Sequence, residues 1–232
     1  MSEATLHLIG GGPSALLQTR RHIRAAMKEV GKKKPLVAYV GAASNDHAGF
    51  RHMLGAAFLG TGARLEPAHL AHARANVTRA KQLLDDCDVV FMSGGDVEHG
   101  MRVLAERDVV GHLQRLAKQG KPFIGISAGS IMLCRHWVRF PDEDETKAEL
   151  FDCLGIAPLH MDAHSEEDGW SELRTLVRLL GRKDPDAIGH GVPSRGCLRV
   201  AGGKLAALGA AVARVRVKNG QLVDEKPLPV AK

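Results

Sequence analysis

A serine between two glycines is the feature of this sequence that most directly suggests chemistry. Ser127 lies two residues from both Gly125 and Gly129, at the end of a short apolar run, and small and apolar residues follow it. The pattern predicts a buried strand, a tight corner and a helix, because neighbours without side chains let the two elements crowd around the serine. Such a corner exposes the hydroxyl group and places backbone N–H groups where they can receive an oxyanion. The motif predicts a nucleophilic serine, and a glycine-rich turn around an incidental serine is the alternative.

A serine nucleophile needs a base, and the base needs a partner that orients it. The sequence has twelve histidines, so their number does not identify the base. His164 is the candidate because it directly follows a predicted strand over residues 158–162, and because it comes after the serine in chain order. His160 and His164 are four residues apart outside any predicted helix, a spacing that does not define a metal-binding face. We therefore predict neither a metal nor an organic cofactor.

The elements that must position these side chains alternate between strands and helices up to residue 135. Apolar runs predict strands near residues 5–9, 35–40, 88–92 and 122–126. This alternation predicts an α/β fold with a mostly parallel sheet and helices on both faces. Ligands bind beyond the carboxyl ends of the strands in such sheets. The glycine-containing turns at 10–12, 41–45 and 94–96 are therefore expected along one edge with Ser127.

The glycine run at residues 10–12 follows the first predicted strand. Pro13 and Ser14 are predicted to open the first helix, since proline is tolerated in a first turn. The run is neither a Walker loop nor a Gly-x-Gly-x-x-Gly motif. Close approach of the backbone to an active site is therefore favoured over nucleotide binding.

The second half of the chain has weaker patterns. Residues 136–150 are polar and acidic without periodicity and are predicted to form an exposed loop. The tail over residues 197–217 alternates between apolar and polar residues, and Lys218, Asn219 and Gly220 predict a hairpin turn. This tail is expected to form an antiparallel edge of the same domain. With no linker or internal repeat in the sequence, residues 1–232 are predicted to form a single α/β hydrolytic domain.

Composition and charge restrict the class of protein and its partners. The chain has 44% hydrophobic and 25% charged residues, which is ordinary for a soluble globular protein. No apolar run approaches the roughly 20 residues of a membrane span, and no secretory signal is evident, so neither a membrane partner nor secretion is predicted. The four cysteines are scattered, which predicts reduced thiols and a cytoplasmic location. The net charge of +6 is spread along a chain with only 4% aromatic residues, so no nucleic-acid partner is expected.

Four motifs together resemble the dipeptidase E and cyanophycinase family of serine peptidases. Residues 125–130 are similar to its Gly-x-Ser-Ala-Gly-Ala elbow, and residues 90–96 to its strand ending in Gly-Gly-Asp-Gln or Gly-Gly-Asn-Thr. Residues 6–12 resemble the opening strand, and residues 159–164 match the segment with the catalytic histidine. The separation of Ser127 and this histidine also fits dipeptidase E. The resemblance implies a sheet like that of class I glutamine amidotransferases, with serine replacing the usual cysteine.

The resemblance also implies roles for individual residues. Ser127 would be the nucleophile, His164 the general base, and the backbone N–H groups of Gly95 and Ala128 the oxyanion hole. Spacing from the serine puts Asp142 at the position of the catalytic acid. Four nearby carboxylates remain alternatives for that role: Glu143, Asp144, Glu145 and Asp162.

Substrate contacts are predicted at Gly94, Asp96 and Arg135. A peptidase for aspartyl dipeptides must hold a substrate carboxylate, for which arginine is suited. The candidates are Arg51, Arg135 and Arg174, and spacing does not choose among them.

The sequence departs from the family in two places. Val97 follows the second glycine motif where the family usually has a polar Gln or Thr. Residues 188–191 lack the acidic residue often found there. These departures concern the substrate more than the nucleophile.

The resulting hypothesis is a serine hydrolase that cleaves a small peptide or isopeptide through an acyl-enzyme. One alternative is a non-catalytic protein of the same fold that binds a metabolite or a partner protein. A second alternative is a domain that supplies ammonia to a partner, but serine in place of the more nucleophilic cysteine argues against it. The sequence leaves a homodimer open.

Overall fold

The computed structural model describes residues 4–12 and 15–231 of the chain. The predicted helix start at Pro13 and Ser14 lies outside the described residues. The described strands are β1 (Leu6–Ile9), β2 (Leu36–Val40), β3 (Arg64–Pro67), β4 (Val89–Met92), β5 (Phe123–Ile126), β6 (His136–Arg139), β7 (Glu149–Asp152), β8 (His160–Ala163), β9 (Ile188–Val192), β10 (Cys197–Ala201), β11 (Lys204–Leu208), β12 (Val212–Lys218) and β13 (Gln221–Leu228). The described α-helices are α1 (Leu16–Val30), α2 (Ala48–Gly55), α3 (Val77–Asp86), α4 (Val97–Glu106), α5 (Val110–Lys118), α6 (Ala128–Leu133) and α7 (Ser171–Leu180).

The main sheet has seven strands in the order β11-β10-β1-β5-β4-β2-β3. The five strands from β1 to β3 in this order are parallel, and β10 and β11 are antiparallel at the other edge. Because the parallel strands all end at one edge, the loops after β1, β2, β4 and β5 meet there. The predicted α/β fold with a mostly parallel sheet is confirmed.

Helices cover both faces of this sheet. On one face, Ile23 and Met27 of α1 pack with Tyr39 and Phe91 from the strands, and α2 joins the same core. On the other face, α3, α4, α5 and α6 contribute buried residues to a second and larger core, with Leu104 among its fully buried members. The larger core also contains residues of β8, β9 and β12, so the second half of the chain packs on the same side.

A second sheet has the strand order β13-β12-β9-β8, with β8 and β9 parallel. Strands β12 and β13 form a hairpin in which Lys218 pairs with Gln221. Its two turn residues, Asn219 and Gly220, have φ values of 53° and 76°, as expected for a tight turn that favours asparagine and glycine. The predicted antiparallel tail is confirmed, but it is divided: β10 and β11 extend the main sheet, whereas β12 and β13 extend the second one.

Residues 136–150 differ from the sequence prediction of an exposed loop. They include β6 and the start of β7, which pair as an antiparallel hairpin. Val138 of β6 is fully buried against Leu176 and Leu180 of α7. A short strand with one buried residue has no alternation of apolar and polar residues that could be recognised in the sequence. Packing against α7 therefore determines where this hairpin forms. The acidic residues between the two strands do lie in exposed turns, as predicted.

Three further predictions concern the whole chain. Among the described residues, no helix is both long enough and apolar enough to cross a membrane. The cysteines are all free, and three of them are buried. That residues 1–232 form one domain stays a prediction.

Candidate active site

The corner between β5 and α6 forces Ser127 into an unusual backbone conformation. Its φ and ψ angles are 53° and −125°, a combination that residues other than glycine rarely adopt. The Ser127 N–H group donates to the Ile9 carbonyl oxygen at 3.0 Å, which ties the corner to the end of β1. The carbonyl of Ser127 in turn accepts the N–H groups of Ser130 and Ile131 at the start of α6. The sharp corner predicted from the sequence is therefore present.

The two glycines that flank the corner are required by close contacts. A Cβ atom at Gly129 would lie 2.2 Å from the carbonyl oxygen of Met92, at the end of β4. A Cβ atom at Gly125 would lie 2.6 Å from the Cα atom of Ser130. Both distances are shorter than non-bonded atoms can tolerate, so strand and helix meet closely only because neither position has a side chain.

Glycines from two other loops surround the serine. A Cβ atom at Gly94 would lie 3.2 Å from the Cβ atom of Ser127, and one at Gly11 would lie 3.7 Å from the same atom. A Cβ atom at Gly12 would lie 3.6 Å from the Cβ atom of His164. The loops after β1, β4 and β5 therefore converge at one edge of the main sheet, as the topology predicted.

His164 directly follows β8 and reaches the serine from the second sheet. Its Nε2 atom lies 2.8 Å from Oγ of Ser127, within hydrogen-bond distance. The backbone of His164 has φ of 50°, and its N–H group donates to the Val192 carbonyl at 2.9 Å. The imidazole is exposed, so a substrate can approach the pair from solvent. This geometry allows the ring to take a proton from the hydroxyl group.

Two backbone N–H groups are the predicted oxyanion donors. Ala128 follows the serine at the first position of α6, and Gly95 follows Gly94, whose backbone lies against the serine. Within the part of the chain that the structure describes, neither the Gly95 nor the Ala128 N–H group donates a hydrogen bond. Both donors are thus free for a ligand.

The carboxylates of the acidic loop between β6 and β7 contact residues of their own loop, although spacing suggested that one of them contacts the histidine. The carboxylate of Asp142 pairs with Lys147 at 3.1 Å, and its side chain is 81% exposed. Asp144 accepts hydrogen bonds from the backbone and side chain of Thr146. Neither carboxylate is described in contact with His164. The structure therefore does not bring Asp142 to the Ser127–His164 pair.

Asp162 lies on β8 two residues before His164 and is 4% exposed. One of its oxygens, Oδ1, accepts the Ala163 N–H group at 2.7 Å, and the other, Oδ2, is buried without a hydrogen-bond partner. Burial raises the pKa of Asp162 to about 6, and nearby Glu172 contributes in the same direction, while His164 opposes it. Of the five candidate acids, Asp162 is the one that is buried and that lies on the strand leading to His164.

Most of the chain matches one known family of peptidases. The model of peptidase family S51 matches residues 6–208. The chain belongs to this family. The resemblance to the dipeptidase E and cyanophycinase family of serine peptidases is thereby confirmed, including its α/β fold.

Individual relatives of this S51 chain are distant. Peptidase E of Shewanella denitrificans (strain OS217 / ATCC BAA-1090 / DSM 15013) is 27% identical over 84 residues, a match that covers 36% of this chain and 36% of that protein. The match thus spans about a third of the curated relative. The crystal structure of a peptidase from an acI-B1 Actinobacterium has a TM-score of 0.70 at 17% identity and covers 98% of this chain and 97% of that one. A Listeria monocytogenes EGD-e structure, named as a candidate peptidase E, has a TM-score of 0.65 at 14% identity, covering 89% and 98%.

The residues predicted to contact substrate in this S51 chain have different environments. Gly94 lies against Ser127, as described above. The carboxylate of Asp96 accepts the His99 N–H group at 2.6 Å and so caps α4. Val97 is 5% exposed and belongs to the larger core, which explains an apolar residue where the family usually has a polar one.

The three candidate arginines are also separated by the fold. The backbone N–H group of Arg135 donates to the Leu159 carbonyl, just before β8, whereas His164 follows the other end of that strand. Arg174 contacts the Gly169 carbonyl and the Asp224 carboxylate. Arg51 lies on α2, and the ring of its neighbour Phe50 is 3.7 Å from where a Cβ atom of Gly94 would be. Of the three, Arg51 is on the element that borders the serine.

Sequence reasoning missed one loop of the site in this S51 chain. The loop after β9 packs on the first glycine turn, where a Cβ atom at Gly10 would lie 2.1 Å from the Pro193 carbonyl oxygen. The next residue, Ser194, places its Oγ atom 3.3 Å from the corresponding position at Gly12, beside His164. Glu166 fixes this loop by accepting the Ser194 N–H group at 2.9 Å. No motif in residues 188–196 indicated this contact.

Proposed function

We propose that this chain is a serine peptidase that hydrolyses small peptides through a covalent acyl-enzyme. The observation that carries the proposal is the 2.8 Å distance between Oγ of Ser127 and Nε2 of His164. Membership of peptidase family S51 supports the same conclusion. The strained corner at Ser127 supports it further, since such strain clusters at functional sites.

The proposed reaction has two halves. In the first, Nε2 of His164 takes the hydroxyl proton while Oγ of Ser127 forms a bond to the peptide carbonyl carbon. The N–H groups of Gly95 and Ala128 donate to the resulting oxyanion. The C–N bond then breaks, and the leaving amine takes the proton from the imidazole. In the second half, a water molecule gives a proton to His164 and attacks the carbonyl carbon of the ester. The bond between this carbon and Oγ then breaks, Oγ of Ser127 takes the proton back from His164, and the carboxylic acid leaves.

Asp162 is the proposed orienting acid, in place of Asp142. For Nε2 of His164 to accept a proton, the other ring nitrogen must carry one, and a carboxylate partner favours that tautomer. Asp162 has an unpartnered buried oxygen and is close enough to His164 for the ring to influence its pKa. Its position on β8, two residues before His164, supports this assignment. Glu172 is the next candidate, because it also interacts electrostatically with His164 and burial raises its pKa.

A small peptide with an acidic residue is the proposed substrate class. Arg51 would hold the substrate carboxylate, because α2 borders Gly94 and the serine. The cytoplasmic location, the absence of a nucleic-acid partner and a homodimer stay predictions.

A fluorophosphonate probe tests the nucleophile directly. We expect the probe to label the purified chain once, at Ser127, and not to label Ser127→Ala. Circular dichroism and thermal unfolding of both proteins would show that the variant is folded. Absence of labelling in a folded wild-type chain would contradict the peptidase and favour the alternative, a non-catalytic binding protein. A screen of aspartyl dipeptides with the same variant as control would then define the substrate.

A further inference from the structure

Three potential metal ligands meet outside the proposed active site. Asp46 follows the turn after β2, and His69 and His72 follow β3, the neighbouring parallel strand. One carboxylate oxygen of Asp46 and one ring nitrogen of each histidine all lie within 4.8 Å of one another. Two imidazoles and a carboxylate form a common donor set for zinc and similar divalent metals. No motif in the sequence indicates this group, because its members come from separate loops.

The state of Asp46 is the second observation. It is 5% exposed, and its Oδ2 atom accepts the Ala71 N–H group at 2.7 Å. Its Oδ1 atom is buried and has no hydrogen-bond partner among the described residues. Asp46 therefore holds a buried carboxylate beside the loop of the two histidines, and Oδ2 fixes that loop through the Ala71 N–H group. A cation bound to this carboxylate would compensate for the hydration that burial removes.

The loop with the histidines is held in place by the rest of the protein. Arg107 donates to the Leu70 carbonyl at 3.0 Å and to the His72 carbonyl at 2.8 Å. His69 has φ of 50°, and the centroids of its ring and the His72 ring are 5.5 Å apart. Both imidazoles are exposed, and no hydrogen bond in the described chain uses their nitrogens. Two adjacent free imidazoles beside a buried carboxylate are arranged as ligands on a fixed backbone.

We propose that Asp46, His69 and His72 bind one divalent metal ion of the zinc class. Metal–ligand bonds of about 2.0 Å require ligand atoms about 3.3 Å apart in a tetrahedral site. The three ligand atoms lie within 4.8 Å of one another. Side-chain rotation of the exposed imidazoles therefore needs to shorten each separation by about 1.5 Å at most. A cleft of about 670 Å³ lies beside the two histidines, and its lining includes Glu66, Arg74 and both imidazoles. A water molecule or a small anion would occupy the fourth coordination position.

The site would brace the loop that supports the proposed oxyanion hole. Residues 41–46 lead from the end of β2 to Asp46, and within them the Ala43 carbonyl accepts the Asp96 N–H group at 2.8 Å. The hydroxyl groups of Ser44 and Ser93 are 3.1 Å apart in the same region. A metal that ties Asp46 to the histidine loop would therefore stiffen the segment against which residues 93–96 pack. The proposal concerns binding and stability and does not depend on the peptidase activity.

Metal titration of the untagged chain tests the proposal. After treatment with a chelator, Co²⁺ added to the protein should give a visible absorption spectrum that saturates at one equivalent and is displaced by Zn²⁺. Zn²⁺ should also raise the unfolding temperature, because a ligand of the folded state stabilises it. In the double variant His69→Ala/His72→Ala, we expect affinity to fall by more than about 100-fold, because the loss of a single outer-shell partner already costs about 10- to 100-fold.

Matched variants separate this site from other histidines. His52→Ala removes an exposed histidine on α2 outside the cluster and should leave the titration unchanged. The double histidine variant retains Asp46 and its hydrogen bond to Ala71, so the chain should still fold. Asp46→Asn is a weaker test, because it also alters that hydrogen bond. The proposal is overturned if wild type binds no metal, or if His52→Ala and the double variant lose binding equally.

Discussion

The backbone of Gly95 is packed directly against Ala43. A Cβ atom at Gly95 would lie 2.0 Å from the Ala43 carbonyl oxygen, and φ of Gly95 is 139°, in a region that favours glycine. The same carbonyl accepts the Asp96 N–H group. The orientation of one proposed oxyanion donor therefore depends on the loop that follows β2, and not only on its own loop.

This contact predicts a specific effect for Gly95→Ala. The added methyl group must displace the backbone, so the N–H group loses its orientation, and kcat/KM for a peptide should fall by about 100-fold or more. The control is Gly111→Ala on α5, where an added Cβ atom meets nothing within 4 Å. That variant should retain activity and gain up to about 1 kcal/mol in the free energy of unfolding, because alanine favours a helix. Equal activity of both variants would argue against Gly95 as a donor.

The conformation of Ser127 predicts a difference between two inactive variants. Ser127→Ala retains a Cβ atom and with it the strain at φ of 53°, whereas Ser127→Gly relieves it. Strain of this kind costs about 1–3 kcal/mol, and glycine loses part of that gain through the entropy of the unfolded chain. Ser127→Gly should therefore unfold with a free energy about 1 kcal/mol higher than Ser127→Ala in urea. Equal stability of the two variants would mean that the corner is not strained.

Asp162→Asn and Asp142→Asn form a matched pair for the orienting acid. We expect Asp162→Asn to lower kcat by at least about 100-fold, because His164 would lose the partner that sets its tautomer. Asp142→Asn should change activity no more than about twofold, since its carboxylate is exposed and paired with Lys147. If Asp142→Asn has the larger effect, the acid is in the loop and the proposal for Asp162 is wrong.

Asp162 also predicts a pH dependence of stability. Its pKa in the folded protein is about 6, above the roughly 4 expected in the unfolded chain, because burial disfavours the charged form. The folded state then binds the extra proton, so this group favours folding at low pH and lowers stability as pH rises through about 6. The difference in the free energy of unfolding between Asp162→Asn and wild type should shift in favour of the variant by up to about 3 kcal/mol from about pH 4 to pH 8. Denaturation in urea at several pH values measures this gain, and a constant difference would contradict the raised pKa.

Arg51→Ala tests the proposed substrate class. If the guanidinium binds the substrate carboxylate, KM for an aspartyl dipeptide should rise by about 10- to 100-fold, with little change for the matching alanyl dipeptide. Arg135→Ala is the control, since Arg135 lies at the other end of β8 from His164. A larger effect of Arg135→Ala on the acidic substrate would reverse this assignment.

The order of strands and helices and the sharp corner at Ser127 were readable from the sequence alone. They depend on local features: apolar periodicity, and glycines at positions where a Cβ atom would collide with neighbouring backbone. His164 could be selected as well, because it follows a predicted strand and matches a family segment. The hairpin of β6 and β7 was not predicted, since a single buried residue, Val138, determines its place against α7.

The tertiary structure decided which of the candidate carboxylates is buried and which is exposed. Spacing favoured Asp142, but Asp142 is exposed beside Lys147, while Asp162 is buried two residues before His164. Spacing along the sequence does not predict which side chain is buried, because burial depends on packing against helices and strands that are distant along the chain. The grouping of Asp46 with His69 and His72 arises in the same way, from the pairing of two parallel strands that brings their loops together.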